Sequence, residues 1–315
     1  MSSNSKLNTP IKIVVLSNPG TANDLKKGKT LIDSSGNLVS GTMVDINEIL
    51  NKTVTSYSND SIEKIGNNAF MYCTSLTSVS FPACTSIGES AFWNCASLTY
   101  VSLPVCTTIG SGAFYACRSL TSVNFPVCTS IDRGAFSNCT SLASVNFPVC
   151  TSIGISAFYG CISLTSISLP ICTTIRGSAF HGCRSLESVS FPACTTIGQS
   201  AFIYCSKLTS VNFPACTTIG SSAFQSCTSL TSVSFPACTG ISSYAFGDCS
   251  SLTSLTLGAS TVCKLNNTNA FTYTPMSNST YTGTFGSIYV PASLVDAYKS
   301  ATNWATYSSR IGSIT

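Results

Sequence analysis

Charge is scarce in this chain: of 315 residues only 8% are Asp, Glu, Lys or Arg, and there are one histidine and two tryptophans. The net +4 is spread thinly, and between residues 65 and 257 the cations are Arg118, Arg133, Arg176, Arg184 and Lys207. Nucleic-acid binding needs a concentrated Lys/Arg footprint, so that partner class is excluded. His181 stands without a convergent acid–base set, and no activated nucleophile lies beside it, so the chain reads as a non-enzyme. Gly28-Lys29-Thr30 is not a phosphate loop, because the first glycine such a loop requires is Asn23 here. No cofactor is expected. Long hydrophobic runs are missing too: stretches such as Ile13–Leu16 fall far short of the roughly 20 residues that span a bilayer, which excludes membrane insertion. The N-terminus lacks the charged start, apolar stretch and cleavage site of a secretory signal, so either a trimmed chain or export by another route is expected.

What the chain has is a period. Phenylalanine falls at 70, 92, 114, 136, 158, 180, 202, 224 and 246, a spacing of 22 without insertion or deletion. Such a period marks a solenoid of stacked units, each covering its neighbour's apolar face. In Leu76-Thr77-Ser78-Val79-Ser80-Phe81, Val79 and Phe81 share one face while Ser78 and Ser80 share the other, which predicts one parallel strand per repeat over about nine repeats. Ile87, Ala91, Phe92, Cys95 and Leu98 complete the inward set. Pro82 and its equivalents end the strand because proline cannot donate to a ladder. Gly88, Gly110, Gly154, Gly198 and Gly220 mark a second bend, through either a positive φ or a close backbone approach.

The signature Ile-Gly-x-x-Ala-Phe-x-x-Cys-x-x-Leu-x-x-Val-x-Phe-Pro resembles the BspA-like (Treponema pallidum type) leucine-rich repeats of bacteria, over about Ser61 to Leu257. Ile288 to Tyr298 looks like the segment that closes such arrays. The resemblance implies a leucine-rich-repeat solenoid over 61–257, a helix-containing C-terminal cap over 258–315 and a small N-terminal α+β module over 1–60. It also implies surface recognition and adhesion, with no family-wide catalytic or binding residues to carry across.

Eighteen cysteines would suggest a disulfide framework, but they fall in two columns. One follows Phe by three residues, from Cys73 to Cys249; the other follows Pro by two, from Cys84 to Cys238; Cys263 stands alone. Each column recurs at an inward position, where free cysteine behaves as a small hydrophobe, so buried core thiols are expected. Disulfides between neighbouring turns are the alternative, since a rise of about 4.8 Å lies within disulfide reach. Zinc fits worst, because an alternating spacing of 11 strings the thiols along a line instead of converging them.

Residues 1–60 read as a strand at Ile11–Leu16, a short helix near Ala22–Lys27 and a hairpin through Ser34-Ser35-Gly36-Asn37. The run from Ala22 to Met43 resembles short modules of tail-fibre proteins from phages and prophages of gut Firmicutes. That resemblance implies a virion tail protein, released by lysis without a signal peptide and trimeric through this module.

Function is sought where the repeat varies. The position after Phe reads Met71, Trp93, Tyr115, Ser137, Tyr159, His181, Ile203, Gln225 and Gly247. This aromatic ribbon either stacks along the solenoid to stabilise it or binds sugar or protein. On the outward strand face the departures from Ser, Thr and Asn are Tyr100, Ala143 and Glu187. Trp93, Tyr115, Tyr159, His181, Tyr100 and Glu187 are therefore the candidate ligand contacts. An unbroken column from Thr85 to Thr239 also looks like that of ice-binding solenoids, a remote alternative. The reading is a noncatalytic recognition protein, a tail-fibre component binding a bacterial surface protein or glycan. The alternative is a bacterial surface adhesin that contacts host or neighbouring cells.

Overall fold

In a computed structural model, residues 52–277 and 285–314 are described. The features expected of residues 1–51 lie outside them. The chain winds into a solenoid whose turns have three sides. One side carries the alternating strand foreseen from the sequence, Ser78–Ser80 and its equivalents, with Val79 and Phe81 buried. The next carries a second strand of two residues, Ser86–Ile87 and its equivalents. That second strand was not foreseen, because two residues are too few to display a period of two. Its strands form one continuous parallel sheet of ten, from Lys64–Ile65 to Lys264–Leu265. The longer strands form separate parallel ladders of three, two, two and five.

The third side is a tight double bend bonded from turn to turn. Asn68, Phe70 and Tyr72 donate their N–H groups to the carbonyls of Glu89, Ala91 and Trp93 in the next turn, at 2.8, 2.6 and 2.8 Å. The residues between them close short local turns, as where Cys73 N–H meets Phe70 O at 3.0 Å. This path puts two residues per turn at positive φ: Ser90 and Asn94 at 54° and 56°, and their equivalents throughout. Gly88, Gly110, Gly154, Gly198 and Gly220 have ordinary φ, so of the two roles read for them the close approach is the one realised.

Phenylalanine fills the interior in register. From Phe70 through Phe246 to Phe271 each ring stacks on the next at 5.1–5.5 Å between centroids. Phe271 lies 25 residues beyond Phe246, so a lengthened turn continues the stack past Leu257. The C-terminal segment extends the same core. Strand Ser287–Val290 pairs with Ser254–Leu257, then a six-residue helix, Val295–Ser300, leads to a last strand, Ile311–Ser313. Tyr298, Trp304 and Tyr307 close the end of the core. All eighteen cysteines are buried and free, as core thiols should be.

Candidate functional site

The sequence-predicted ribbon lies along the double-bend side, and the structure divides it. Trp93 and Tyr115 are half-buried and stack with centroids 3.8 Å apart and planes within 14°. The Tyr115 hydroxyl accepts from Asn138 Nδ2 at 3.2 Å. Ser137, next along, is buried and interrupts the ribbon. Beyond it Tyr159 stacks on His181 at 4.5 Å, and His181 meets the Tyr204 ring edge-on at 5.6 Å.

The second cluster is the more open. Tyr159 and Tyr204 are 37% and 46% exposed, whereas Trp93 and Tyr115 are each covered by a neighbour. Gly160 and Gly182 lie beside the cluster at φ +68° and +70°, and a Cβ on Gly182 would meet nothing within 4 Å. The backbone is therefore bare at Gly182, whereas at Gly160 the Asn138 side chain covers it, its Oδ1 2.7 Å from where a Cβ would stand. Partial burial lowers the His181 pKa, so its imidazole is neutral at pH 7 and presents an uncharged ring. Cys183, two residues on, faces the core and donates to Phe158 O at 3.2 Å, so no cysteine–histidine pair forms.

Tyr204 was missed in the sequence, although a signal was present. The column two residues after Phe elsewhere holds mostly Asn, Ala, Gly, Ser or Asp, types suited to positive φ. Tyr72, Tyr204 and Tyr273 break that rule at φ 63°, 63° and 58°, and all three are exposed. A bulky side chain held at positive φ is strained, and such strain concentrates at functional surfaces.

Tyr100 and Glu187 are exposed on the longer-strand side and do not converge with each other. They lie four turns apart, roughly 19 Å at the usual strand spacing. Glu187 faces Lys207 Nζ at 3.9 Å, with both side chains 60% exposed, a pair that contributes little. The Thr column has a structural role. Thr107 Oγ1 donates to Thr85 O at 3.0 Å, and the same bond recurs up to Thr239 on Thr217 O at 3.2 Å, so the hydroxyl protons are not offered to ice. Among the described residues no group of three or more His, Cys, Asp or Glu is arranged to hold a metal, and no helix is long and apolar enough to cross a membrane.

Residues 51–154 and 151–278 match the BspA type leucine rich repeat region, more than half of the chain. Among solved structures, the leucine rich repeat protein of T. pallidum is 30% identical, covering 50% of this chain and 79% of its own, with a TM-score of 0.48. A leucine-rich repeat protein from Bacteroides ovatus is 26% identical over 65% of this chain and 75% of its own, with a TM-score of 0.36. A leucine rich cell surface protein from Faecalibacterium prausnitzii is 20% identical over 73% and 93%, with a TM-score of 0.30. None of the curated proteins matches the chain.

Proposed function

The chain belongs to the family of BspA-type leucine-rich repeat proteins, and from that premise we propose that it is a noncatalytic recognition protein that binds a cell-surface glycan. The observation that carries the reading is the open cluster of Tyr159, His181 and Tyr204 beside the bare backbone of Gly182. Uncharged rings stack on sugar faces, and the neighbouring Ser hydroxyls supply hydrogen bonds without fixed charge. Trp93 and Tyr115 extend the same edge. Tyr100 and Glu187 lie on another side, apart from the cluster and from each other.

The resemblance of residues 22–43 to tail-fibre modules favours a phage or prophage tail as the setting, with trimerisation through that segment; a bacterial adhesin is the alternative. Tail and baseplate genes beside the coding sequence support the first, and cell-wall anchoring genes the second.

The test compares adsorption to Gram-positive cells for the wild type, a Tyr159→Ala/His181→Ala/Tyr204→Ala variant and a Trp93→Ala/Tyr115→Ala variant, with circular dichroism as the folding control. The first variant should lose about 30-fold or more in affinity, the scale of a central aromatic anchor. The second should chiefly lose thermal stability, because its rings cover each other. Oligosaccharides released from the same cells should compete, and protease-treated cells should still bind. Undiminished adsorption by the folded triple variant would move the site to the side bearing Tyr100 and Glu187. Binding abolished by protease would replace the glycan with a protein target.

A further inference from the structure

Through most of the solenoid the thiols are held alike. After Phe, each Sγ donates to the carbonyl of the Phe in the preceding turn, as Cys139 does to Phe114 O at 3.1 Å and Cys249 to Phe224 O at 3.0 Å. After Pro, each Sγ donates to the carbonyl two residues on, as Cys150 does to Ser152 O at 3.2 Å. Each thiol spends its one proton on a local carbonyl and is inert.

Cys238 and Cys263 depart from this scheme. The turn between Phe246 and Phe271 is longer than the others, and it brings Cys263, which stands alone in the sequence pattern, against Cys238 with the two Sγ atoms 3.6 Å apart. Cys238 keeps the usual contact, 3.5 Å to Gly240 O, whereas that of Cys263 is long, 3.9 Å to Lys264 O one residue on. Gly240 and Lys264 are partners in the parallel sheet, so the two cysteines lie on neighbouring turns. Neighbouring parallel strands are about 4.8 Å apart, inside the Cα range a disulfide spans.

Two further observations set the pair apart. A groove of about 240 Å³ between Lys264–Asn266 and Ala301–Trp304 is lined by Cys263 itself. The two thiols also hydrogen-bond each other, which lowers the pKa of one member of the pair and raises that of the other. A thiolate partner of this kind is the reactive form of cysteine.

We propose that Cys238 and Cys263 are a redox-modification site, oxidised by a peroxide to a disulfide that staples the C-terminal segment to the last regular turn. The thiolate of one cysteine of the pair attacks one peroxide oxygen and breaks the O–O bond, giving a sulfenic acid and a hydroxide that takes up the proton this thiol released. The partner sulfur then attacks the sulfenyl sulfur, the S–S bond forms, and the expelled hydroxide leaves as water with the partner's proton. Two thiols and one peroxide become one disulfide and two waters; the sulfurs lose two electrons and the peroxide gains them. The Cys263 backbone N–H donates to the Tyr298 hydroxyl at 2.8 Å and its carbonyl accepts from Trp304 Nε1 at 2.6 Å, so a link at Cys263 holds the aromatic end of the core. Stacked repeats fray from their ends, which is where a staple has most effect.

The test treats the reduced protein with hydrogen peroxide under native conditions, alkylates it in denaturant and maps the peptides by mass spectrometry. A single Cys238–Cys263 linked peptide is expected, with amide exchange over 287–313 slowed by more than about tenfold and restored by dithiothreitol. Cys263→Ala and Cys238→Ser variants should lose both effects, and the reversal by dithiothreitol in the wild type stands even where a variant folds poorly. Both cysteines recovered as alkylated thiols in excess peroxide, or links scattered among other cysteines, would overturn the proposal.

Discussion

Gly110 lies so close to Gly88 of the preceding turn that a Cβ on it would stand 2.7 Å from the Gly88 carbonyl carbon. Where this column carries a side chain within the 22-residue repeats, the turn stands off, although Asn266 in the lengthened turn donates to Ile241 O at 2.9 Å. Asp132, Arg176 and Ser242 donate to the preceding turn at 3.1, 3.2 and 3.0 Å, against 2.8–2.9 Å for Gly88, Gly110, Gly154, Gly198 and Gly220. Gly110→Ala should therefore cost about 1–3 kcal/mol, the usual penalty of overpacking, with the fold retained. Denaturant unfolding checks it; an unchanged midpoint would mean that the turns slide apart freely at this corner.

Phe136 stacks on Phe114 at 5.2 Å and on Phe158 at 5.4 Å, and it is fully buried. Phe136→Asp would leave an unpaired carboxylate among rings, which either ionises at high cost or remains protonated in a void. Deleting a complete unit, Ala113–Gly134, restores every inward position to register and should shorten the solenoid by about 4.8 Å while leaving it folded. Small-angle scattering and thermal melts separate the two outcomes. A stable Phe136→Asp protein would show that the ring column does not hold the core together.

Burial raises the pKa of every cysteine outside the Cys238–Cys263 pair above its ordinary value of 9.0, reaching about 12 at Cys139, Cys183 and Cys249. A pKa raised on folding stabilises the native state fully below the unfolded value and ceases to do so as pH rises through the folded one. Each thiol then withdraws up to about 1.4 kcal/mol per pH unit above 9. Acting together they exceed the roughly 5–15 kcal/mol that holds a domain folded, so the protein should unfold cooperatively between about pH 9 and 10. Circular dichroism against pH follows the transition. Retention of native signal at pH 11 would contradict it, and Cys139→Ala and Cys183→Ala should each shift the midpoint upward relative to their own neutral-pH stability.

The candidate site was partly legible. Tyr159 and His181 were visible as departures from a repeating column, because residues 22 apart are neighbours and any anomaly in one column is an anomaly on one edge. Tyr204 was not, because it occupies a different column and reaches His181 through a positive φ that spacing does not reveal. Trp93 and Tyr115 matched the same pattern as Tyr159 and His181, yet their rings cover each other at 3.8 Å, a distinction of side-chain packing that equivalent positions conceal.

The sequence by itself determined the repeat, the inward set, the thiol columns and the solenoid, since each contact between turns joins residues separated by one period and is written into the chain as a recurrence. Tertiary structure decided what recurrence cannot encode. The two-residue strands are too short for a pattern, and the positive-φ bends hold Asn, Ser and Gly and, under strain, Tyr. The meeting of Cys238 with Cys263 depends on one lengthened turn, whose extra residues move a thiol along the core by an amount that only the folded backbone fixes.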